Sequence, residues 1–324
     1  MTNAGHPSIA AMAMIASLCS GEAASQAEFP ERPIRYILPY PAGGSTSFTA
    51  RLVGQHFADI WGQQAVIDNR PGANTMIGTQ LLVRAKPDGY TIGYIGPGNA
   101  SNHLLLKPPY DGLRDIAPIA SIAAVENLLV VHPSVPAKTL QEFVALARSR
   151  PGKLDFATSS MGGSTHFAAR LLNSVSKIET RQIPYKGAGP AIADLMGGQV
   201  QYMLAIPTNV LSAVKAGRLR AIAVTGETRL ASLPQIPTFS EAGIPGISMK
   251  TWHGVGAPSG TPRALIVKLS AEIGRLVAMP ETREKLATQG FDPYYNDPDQ
   301  TATILRTELS KFEKLIREAN IKEE

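Results

Sequence analysis

The sequence predicts an α/β protein built as two lobes, each with a mostly parallel sheet flanked by helices. Short apolar runs alternate with segments whose apolar residues recur at helical spacing, a pattern typical of parallel sheets. The 324 residues suffice for two domains, and 44% of them are hydrophobic, which is ample for two cores. Loops rich in glycine and hydroxyl residues follow strands in both halves, which indicates lobes that face each other across a ligand cleft.

The predicted strands are short runs of apolar and β-branched residues bounded by turn residues. In chain order they cover residues 34–38, 65–68, 90–95, 128–131, 154–158, 200–204, 220–224 and 247–253. Because helices separate most of these runs, neighbouring strands within a lobe are expected to run largely parallel.

The predicted helices begin where a capping residue or a glycine-rich loop meets apolar residues at helical spacing. Thr139 and Glu142 have the spacing of a capping box, and Pro262 and Pro298 open two helices near the end of the chain. The other predicted helices run through Phe48, over residues 75–84, through Phe167, through Ile192 and up to Gly217.

The loop at residues 39–47 is the first candidate ligand site. Its two adjacent glycines allow close backbone approach, and its three hydroxyl residues can cap the next helix or contact a ligand. These residues are Gly43, Gly44, Ser45, Thr46 and Ser47. Free N–H groups and the positive end of the helix dipole favour an anion at such a place, although a tight turn without a ligand explains the same residues.

The arrangement recurs later in the chain, which favours the ligand interpretation. Residues 159–166 contain Gly162 and Gly163 between a predicted strand and a predicted helix, and a shorter copy lies at residues 187–190. We identify no internal sequence repeat beyond these recurring loops. Loops of this kind in two lobes predict a cleft that binds a small anion.

The N-terminus predicts an export signal in residues 1–27, cleaved after Ala27. Its apolar run, residues 9–18, is too short to span a bilayer, and its start is atypical because it lacks Lys and Arg. We expect the single cysteine, Cys19, to be lost with the signal, because Leu18 is too bulky to precede a lipid-modified cysteine. The exported chain would then have no thiol for disulfides, catalysis or metal binding.

Charge and motifs narrow the class of function. The formal net charge of +5 is scattered, so it favours anionic ligands and predicts no nucleic-acid surface. The six histidines have no metal-ligand spacing, and the segments 96–98 and 254–256 are predicted to be turns. Ser164 and His166 could be imagined as nucleophile and base, but two neighbours at a helix start do not face each other.

Motifs along nearly the whole exported chain carry a resemblance to one family. They are PYPAGG (39–44), NRPGA (69–73), KPDGYT (86–91), the loop 159–166, PYKG (184–187), GGQV (197–200), KAGRLRA (215–221) and PTFSEAG (237–243). The sequence resembles the Bug-type receptors, the periplasmic substrate-binding components of tripartite tricarboxylate transporters. The resemblance implies a monomeric two-lobed periplasmic-binding-protein (Venus flytrap) fold with a two-strand hinge. It also implies no catalysis and no cofactor, a small carboxylate ligand and an integral-membrane permease as partner.

The resemblance also assigns lobes and site residues. Lobe 1 would comprise residues 28–127 and 252–324, lobe 2 residues 128–251, and the hinge would lie near residues 125–129 and 250–254. The carboxylate-binding loop of lobe 1 would be Tyr40, Ala42, Gly43, Gly44, Ser45 and Thr46. The facing wall of lobe 2 would be Ser159, Gly163, Ser164, His166, Tyr185, Lys186 and Gly187.

Two departures from the family pattern bear on the ligand. Ser47 and Ala205 stand where family members commonly have aspartates. A buried ammonium needs an anionic partner, so the sequence predicts an acid without an amine, either a dicarboxylate or an aromatic acid. The alternatives are a periplasmic sensor or scaffold that passes ligand state to a signalling partner and, less favoured, a hydrolase that uses Ser164 and His166.

Overall fold

The computed structural model of the protein describes residues 1–2 and 29–318. Nearly all of the predicted signal peptide, including Cys19 and the cleavage site after Ala27, therefore lies outside the described residues. Within the described residues, no helix combines the length and the apolar character that a membrane crossing requires.

Eleven strands and ten α-helices alternate along the described chain. The strands are β1 (Ile34–Leu38), β2 (Ala65–Asn69), β3 (Thr91–Ile95), β4 (Ile116–Glu126), β5 (Leu128–Val131), β6 (Asp155–Thr158), β7 (Arg181–Pro184), β8 (Tyr202–Ala205), β9 (Arg220–Val224), β10 (Lys250–Pro258) and β11 (Asp292–Asn296). The helices are α1 (Ser45–Trp61), α2 (Met76–Val83), α3 (Pro97–Leu105), α4 (Leu140–Ser149), α5 (Ser164–Ser176), α6 (Ala188–Met196), α7 (Pro207–Lys215), α8 (Arg263–Ala278), α9 (Pro280–Thr288) and α10 (Pro298–Glu318).

The strands form two sheets, which confirms the two-lobed α/β class. The first lobe is built on the sheet β11-β4-β10-β3-β1-β2 and the second on the sheet β7-β6-β8-β5-β9. The chain enters the second sheet through a single residue, Asn127, between β4 and β5, and it returns to the first sheet at β10. The predicted lobe boundaries and hinge segments stay predictions.

The pairing is mixed rather than mostly parallel. Strands β2, β1 and β3 are parallel, as are β7, β6 and β8, whereas β10 and β5 run antiparallel to both of their neighbours. Parallel pairing depends on helical crossovers within one sheet. Strands β5 and β10 each enter from the other lobe without such a crossover, and β11 also pairs antiparallel with β4. The expectation of largely parallel sheets was therefore wrong at these three strands.

Two glycine-rich segments that we predicted as turns belong to regular elements. Pro97 is the first residue of α3, where its missing N–H costs nothing. Gly254 and Gly256 lie inside β10, and a Cβ on Gly254 would be 2.8 Å from the carbonyl oxygen of Ala120. The glycines of β10 therefore reflect close packing rather than chain reversal.

Helix α10 contributes to the cores of both lobes. Leu305 packs with Ile37, Ile95 and Trp252 under the first sheet. Phe312 belongs to the core of the second lobe, where its ring stacks on Phe167 at 4.3 Å between centroids. Helix α10 falls in the predicted lobe 1 (residues 252–324), but it packs against the cores of both lobes.

Candidate functional site

The site is organised by two matching segments that we call the first and second glycine motifs. The first, GGSTSFTARL (43–52), follows β1, and the second, GGSTHFAARL (162–171), follows β6. They differ only at Ser47, which corresponds to His166, and at Thr49, which corresponds to Ala168. The prediction of recurring loops captured only part of this match, which extends five residues further along each helix, to Leu52 and Leu171.

Both motifs have the same backbone geometry. Gly43 and Gly162 have φ angles of +91° and +71°, which residues other than glycine rarely adopt. Gly44 and Gly163 are the N-cap residues of α1 and α5, and no side chain caps either helix. The first-turn N–H groups of both helices therefore remain available, together with the positive ends of their dipoles.

The two motifs line one cavity of about 550 Å³. Ser45 and Thr46 contribute from the start of α1, and Ser164 and Thr165 from the start of α5. Among the described residues that line the cavity, Arg51 has the only charged side chain and none is acidic. Two helix N-termini and one guanidinium give this cavity a positive potential suited to an anion.

The structure brings nine of the predicted site residues to this cavity. They are Tyr40, Ala42, Gly43, Gly44, Ser45, Thr46, Ser159, Gly163 and Ser164. The other six, which do not line it, are Ser47, His166, Tyr185, Lys186, Gly187 and Ala205. Contact of any of them with a ligand stays a prediction.

Ser47 and His166 occupy the same place in the two motifs and accept equivalent hydrogen bonds. Ser47 Oγ accepts a hydrogen bond of 3.2 Å from the N–H of Gly43, and His166 Nδ1 accepts one of 3.3 Å from the N–H of Gly162. Both side chains are almost fully buried. Each side chain therefore links the first turn of its helix to the preceding loop. Both side chains point into the protein interior, and neither lines the cavity.

His166 is held as a neutral imidazole. Because Nδ1 accepts from Gly162, Nε2 carries the proton and donates to Gln182 Oε1 at 3.0 Å. Burial, with a smaller contribution from the charge of Arg170, lowers the pKa of His166 to about 4. Ser164 Oγ instead lies 2.5 Å from Thr251 Oγ1, so Ser164 and His166 do not form a nucleophile and base pair in this structure.

The remaining four predicted residues have other surroundings. The Tyr185 hydroxyl donates to Asp194 Oδ2 at 2.7 Å, and Lys186 is exposed. A Cβ on Gly187 would lie 3.1 Å from Cγ of Pro41, so Gly187 approaches the first lobe beside the cavity. Ala205 is fully buried in β8, opposite Leu128.

Several residues that line the cavity were not predicted, most notably Arg51 on α1 and Thr251 and His253 on β10. Residues two apart on a strand face the same side. Two polar residues at that spacing, on either side of the apolar Trp252, were the signal that could have found Thr251 and His253. Arg51 follows the first-turn hydroxyls of α1 by more than one helical turn, and nothing in its local sequence distinguishes it from Arg170.

Polar groups from different elements are connected beneath the cavity. Thr251 Oγ1 donates to Asn127 Oδ1 at 2.7 Å, and Asn127 Nδ2 donates to the carbonyl of Met249 at 2.8 Å. His253 Nδ1 lies 3.1 Å from Thr49 Oγ1, and burial lowers the pKa of His253 to about 3. The floor of the cavity is therefore uncharged. Its hydrogen bonds reach both segments that connect the two sheets, Asn127 and the residues that precede β10.

The second motif and the residue before it also bond directly to the first lobe. Ser101 Oγ on α3 donates to the carbonyl of Gly162 at 2.5 Å, and the N–H of Met161 donates to Asn74 Oδ1 at 3.1 Å. Asn74 has a φ of +52° and lies between Ala73 and Thr75, whose φ angles are also positive. Such backbone is strained, and strain of this kind is often found at ligand sites.

Comparisons with known proteins agree with this geometry. Residues 49–321 match the family described as "Tripartite tricarboxylate transporter family receptor". The chain is 33% identical over 297 residues to Protein BugT of Bordetella pertussis, an alignment that covers 91% of this chain and 91% of that protein.

Two solved structures from Rhodopseudomonas palustris are similar over nearly their full length. The structure described as "R. palustris Rpa4515 with adipate" has a TM-score of 0.89 and 30% identity, covering 92% of this chain and all of that one. MatC (Rpa3494), solved with bound malate, has a TM-score of 0.82 and 30% identity, covering 89% of this chain and all of that one.

Proposed function

The chain belongs to the tripartite tricarboxylate transporter family of receptors, and from that premise we propose that it captures a small organic carboxylate without an amine and delivers it to a tripartite tricarboxylate-type permease. Members of this family are periplasmic solute-binding proteins. The permease and the ligand class belong to our proposal, as do the absence of catalysis and the export of the chain through a signal peptide cleaved after Ala27.

One observation carries the proposal: two uncapped helix N-termini, from different lobes, line the same cavity. Each presents free N–H groups and a partial positive charge, which favour a carboxylate. A ligand that contacts both helices would bridge the lobes. Such a ligand stabilises the closed arrangement to the extent that it binds that arrangement better, and a permease can then recognise it.

The lining of the cavity supports an acid without an amine. An ammonium group taken from water without an anionic partner costs several kcal/mol. None of the described lining residues is acidic, whereas Phe48 and Ile192 offer apolar surface to a carbon chain or ring. The similar proteins solved with adipate and malate hold acids that lack an amine. We therefore propose a dicarboxylate or an aromatic acid as the ligand.

A thermal-shift screen followed by calorimetry tests the proposal. The exported chain would be tested against dicarboxylates, aromatic acids, aspartate and glutamate. A ligand that binds only the folded protein raises the free energy of unfolding by RT ln(1 + [L]/Kd), about 2.7 kcal/mol at a hundredfold excess over Kd. We expect stabilisation by acids without an amine. A tight complex with an amino acid, with no response to the matching deaminated acids, would contradict the proposed ligand class.

A further inference from the structure

Hydrogen bonds at the base of the cavity have fixed directions, and these directions narrow the class of carboxylate that the cavity can bind. Resting on the proposed function, we infer that the captured carboxylate is a hydroxy acid, whose hydroxyl group donates to Ser164 Oγ. The inference depends on where the hydroxyl protons of Thr251 and Ser164 lie, and both positions follow from the hydrogen bonds of the described residues.

The proton of Ser164 is fixed by a chain of three groups. The amide of Asn127 is fully buried, and its Nδ2 donates to the carbonyl of Met249, so Oδ1 is the acceptor on its other side. Thr251 must therefore donate its only hydroxyl proton to Oδ1. The contact of 2.5 Å between Ser164 Oγ and Thr251 Oγ1 then requires Ser164 to be the donor. Ser164 is left with lone pairs only for any ligand.

Ser164 and Thr251 both line the cavity, so the lone pairs of Ser164 Oγ are what a ligand meets at this point. A carboxylate oxygen placed against these lone pairs would be repelled, whereas the helix N-termini attract it. An ammonium group would satisfy the acceptor but would lack an anionic partner. A hydroxyl group supplies the proton without the charge, and this is why the geometry favours a hydroxy acid.

Matched pairs of acids test the inference by calorimetry. The pairs are malate and succinate, lactate and propionate, and mandelate and phenylacetate. We expect the hydroxy acid of at least one pair to bind about tenfold or more tightly than its partner, because sites built around a hydrogen bond reject analogues that lack it. Equal or tighter binding of every acid without the hydroxyl would overturn the inference and leave the proposed function standing. Binding of none of these acids, together with no response in the wider screen, would overturn both.

Variants distinguish the effect of the Ser164 hydrogen-bond direction from a general loss of packing around the ligand. In Thr251→Val the proton of Ser164 loses its acceptor and can turn toward the ligand, so the ratio of the two dissociation constants should fall toward one. Thr251→Ser keeps a hydroxyl at this position and should keep the ratio of the unmodified protein. Thr208→Val removes a lining hydroxyl that bonds to the carbonyl of Gln289 instead, and it should leave the ratio unchanged.

The ratio is informative because a loss of packing alone weakens both acids of a pair together. A folded Thr251→Val protein that retains the full preference for the hydroxy acid would contradict the inferred proton positions. Melting curves of each variant establish that it is folded before the two acids are compared.

Discussion

The two glycine motifs have nearly the same sequence and the same local backbone, but their neighbours differ. A Cβ on Gly43 would meet nothing within 4 Å, whereas one on Gly162 would lie 3.0 Å from Asn102 Oδ1 and 3.2 Å from Ser101 Oγ. The first motif therefore borders open space in the cavity. The second is held against a helix of the other lobe.

The side chains that follow the motifs diverge further. Phe48 lines the cavity, whereas Phe167 is fully buried in the core of the second lobe. Arg51 lines the cavity, whereas Arg170 does not. The comparison teaches that sequence determines the start of each helix, because caps and glycines act locally, while packing decides which side chains meet a ligand.

The largest expected effect is the loss of binding in Gly43→Val. A β-branched residue is strained at a φ of +91°, and its side chain would occupy the space through which a ligand reaches the loop backbone. We expect affinity for the best carboxylate to fall by about a hundredfold or more, measured by calorimetry, because both the loop geometry and the approach are lost.

Gly152→Val is the matched control for that variant. Gly152 is exposed, has a φ of +68°, has no atom within 4 Å of an added Cβ, and does not line the cavity. It should lose about 1–3 kcal/mol of stability from backbone strain and keep its affinity. Unchanged affinity in Gly43→Val would remove the first motif from the binding site.

A second, smaller effect concerns His166, which stands where the first motif has Ser47. The pKa of His166 is about 4 in the folded protein, below the value of 6.5 for an unperturbed histidine. As the pH falls through 6.5 the unfolded chain binds the proton first, so this contribution to stability is present above pH 6.5 and is lost progressively toward pH 4. Between pH 7.5 and 5.0 the loss amounts to about 2 kcal/mol.

His166→Ser tests this by making the second motif resemble the first, in which Ser47 accepts the loop N–H. Urea unfolding at pH 7.5 and 5.0 should show a smaller difference in stability for the variant than for the unmodified protein. His253, whose pKa is also lowered by burial, is unaltered and contributes equally to both proteins. An equal pH dependence in the two proteins would mean that His166 does not stay neutral in the fold.

The sequence was sufficient wherever the cause is local. Thr139 and Glu142 form the predicted capping box at the start of α4, with both reciprocal hydrogen bonds of 3.2 Å. The glycine loops and most strands lie within a few residues of their predicted positions. The amino-acid sequence alone was therefore enough to assign the two glycine-rich loops, at residues 39–47 and 159–166, to one cleft.

The sequence was insufficient where the cause is distant. The inward orientation of Ser47 and His166 depends on how each loop folds back over its helix. The role of Thr251 depends on Ser164 and on Asn127, which are 87 and 124 positions away in the chain. The antiparallel pairing of β5 and β10 depends on the passage between lobes. Local periodicity contains no information about such contacts.

The smallest expected effect distinguishes the two arginines that follow the motifs. Arg51 lines the cavity and is exposed, so its attraction for a carboxylate is screened by water and salt. Arg51→Gln should therefore weaken binding only about threefold at low ionic strength, and by less in high salt. Arg170→Gln alters the corresponding position of the second motif, which does not line the cavity, and should leave affinity unchanged. Calorimetry at two salt concentrations measures both variants. An equal loss of affinity in the two would show that the arginines act through the charge of the whole protein rather than at the site, and the difference between the motifs would then lie in their packing alone.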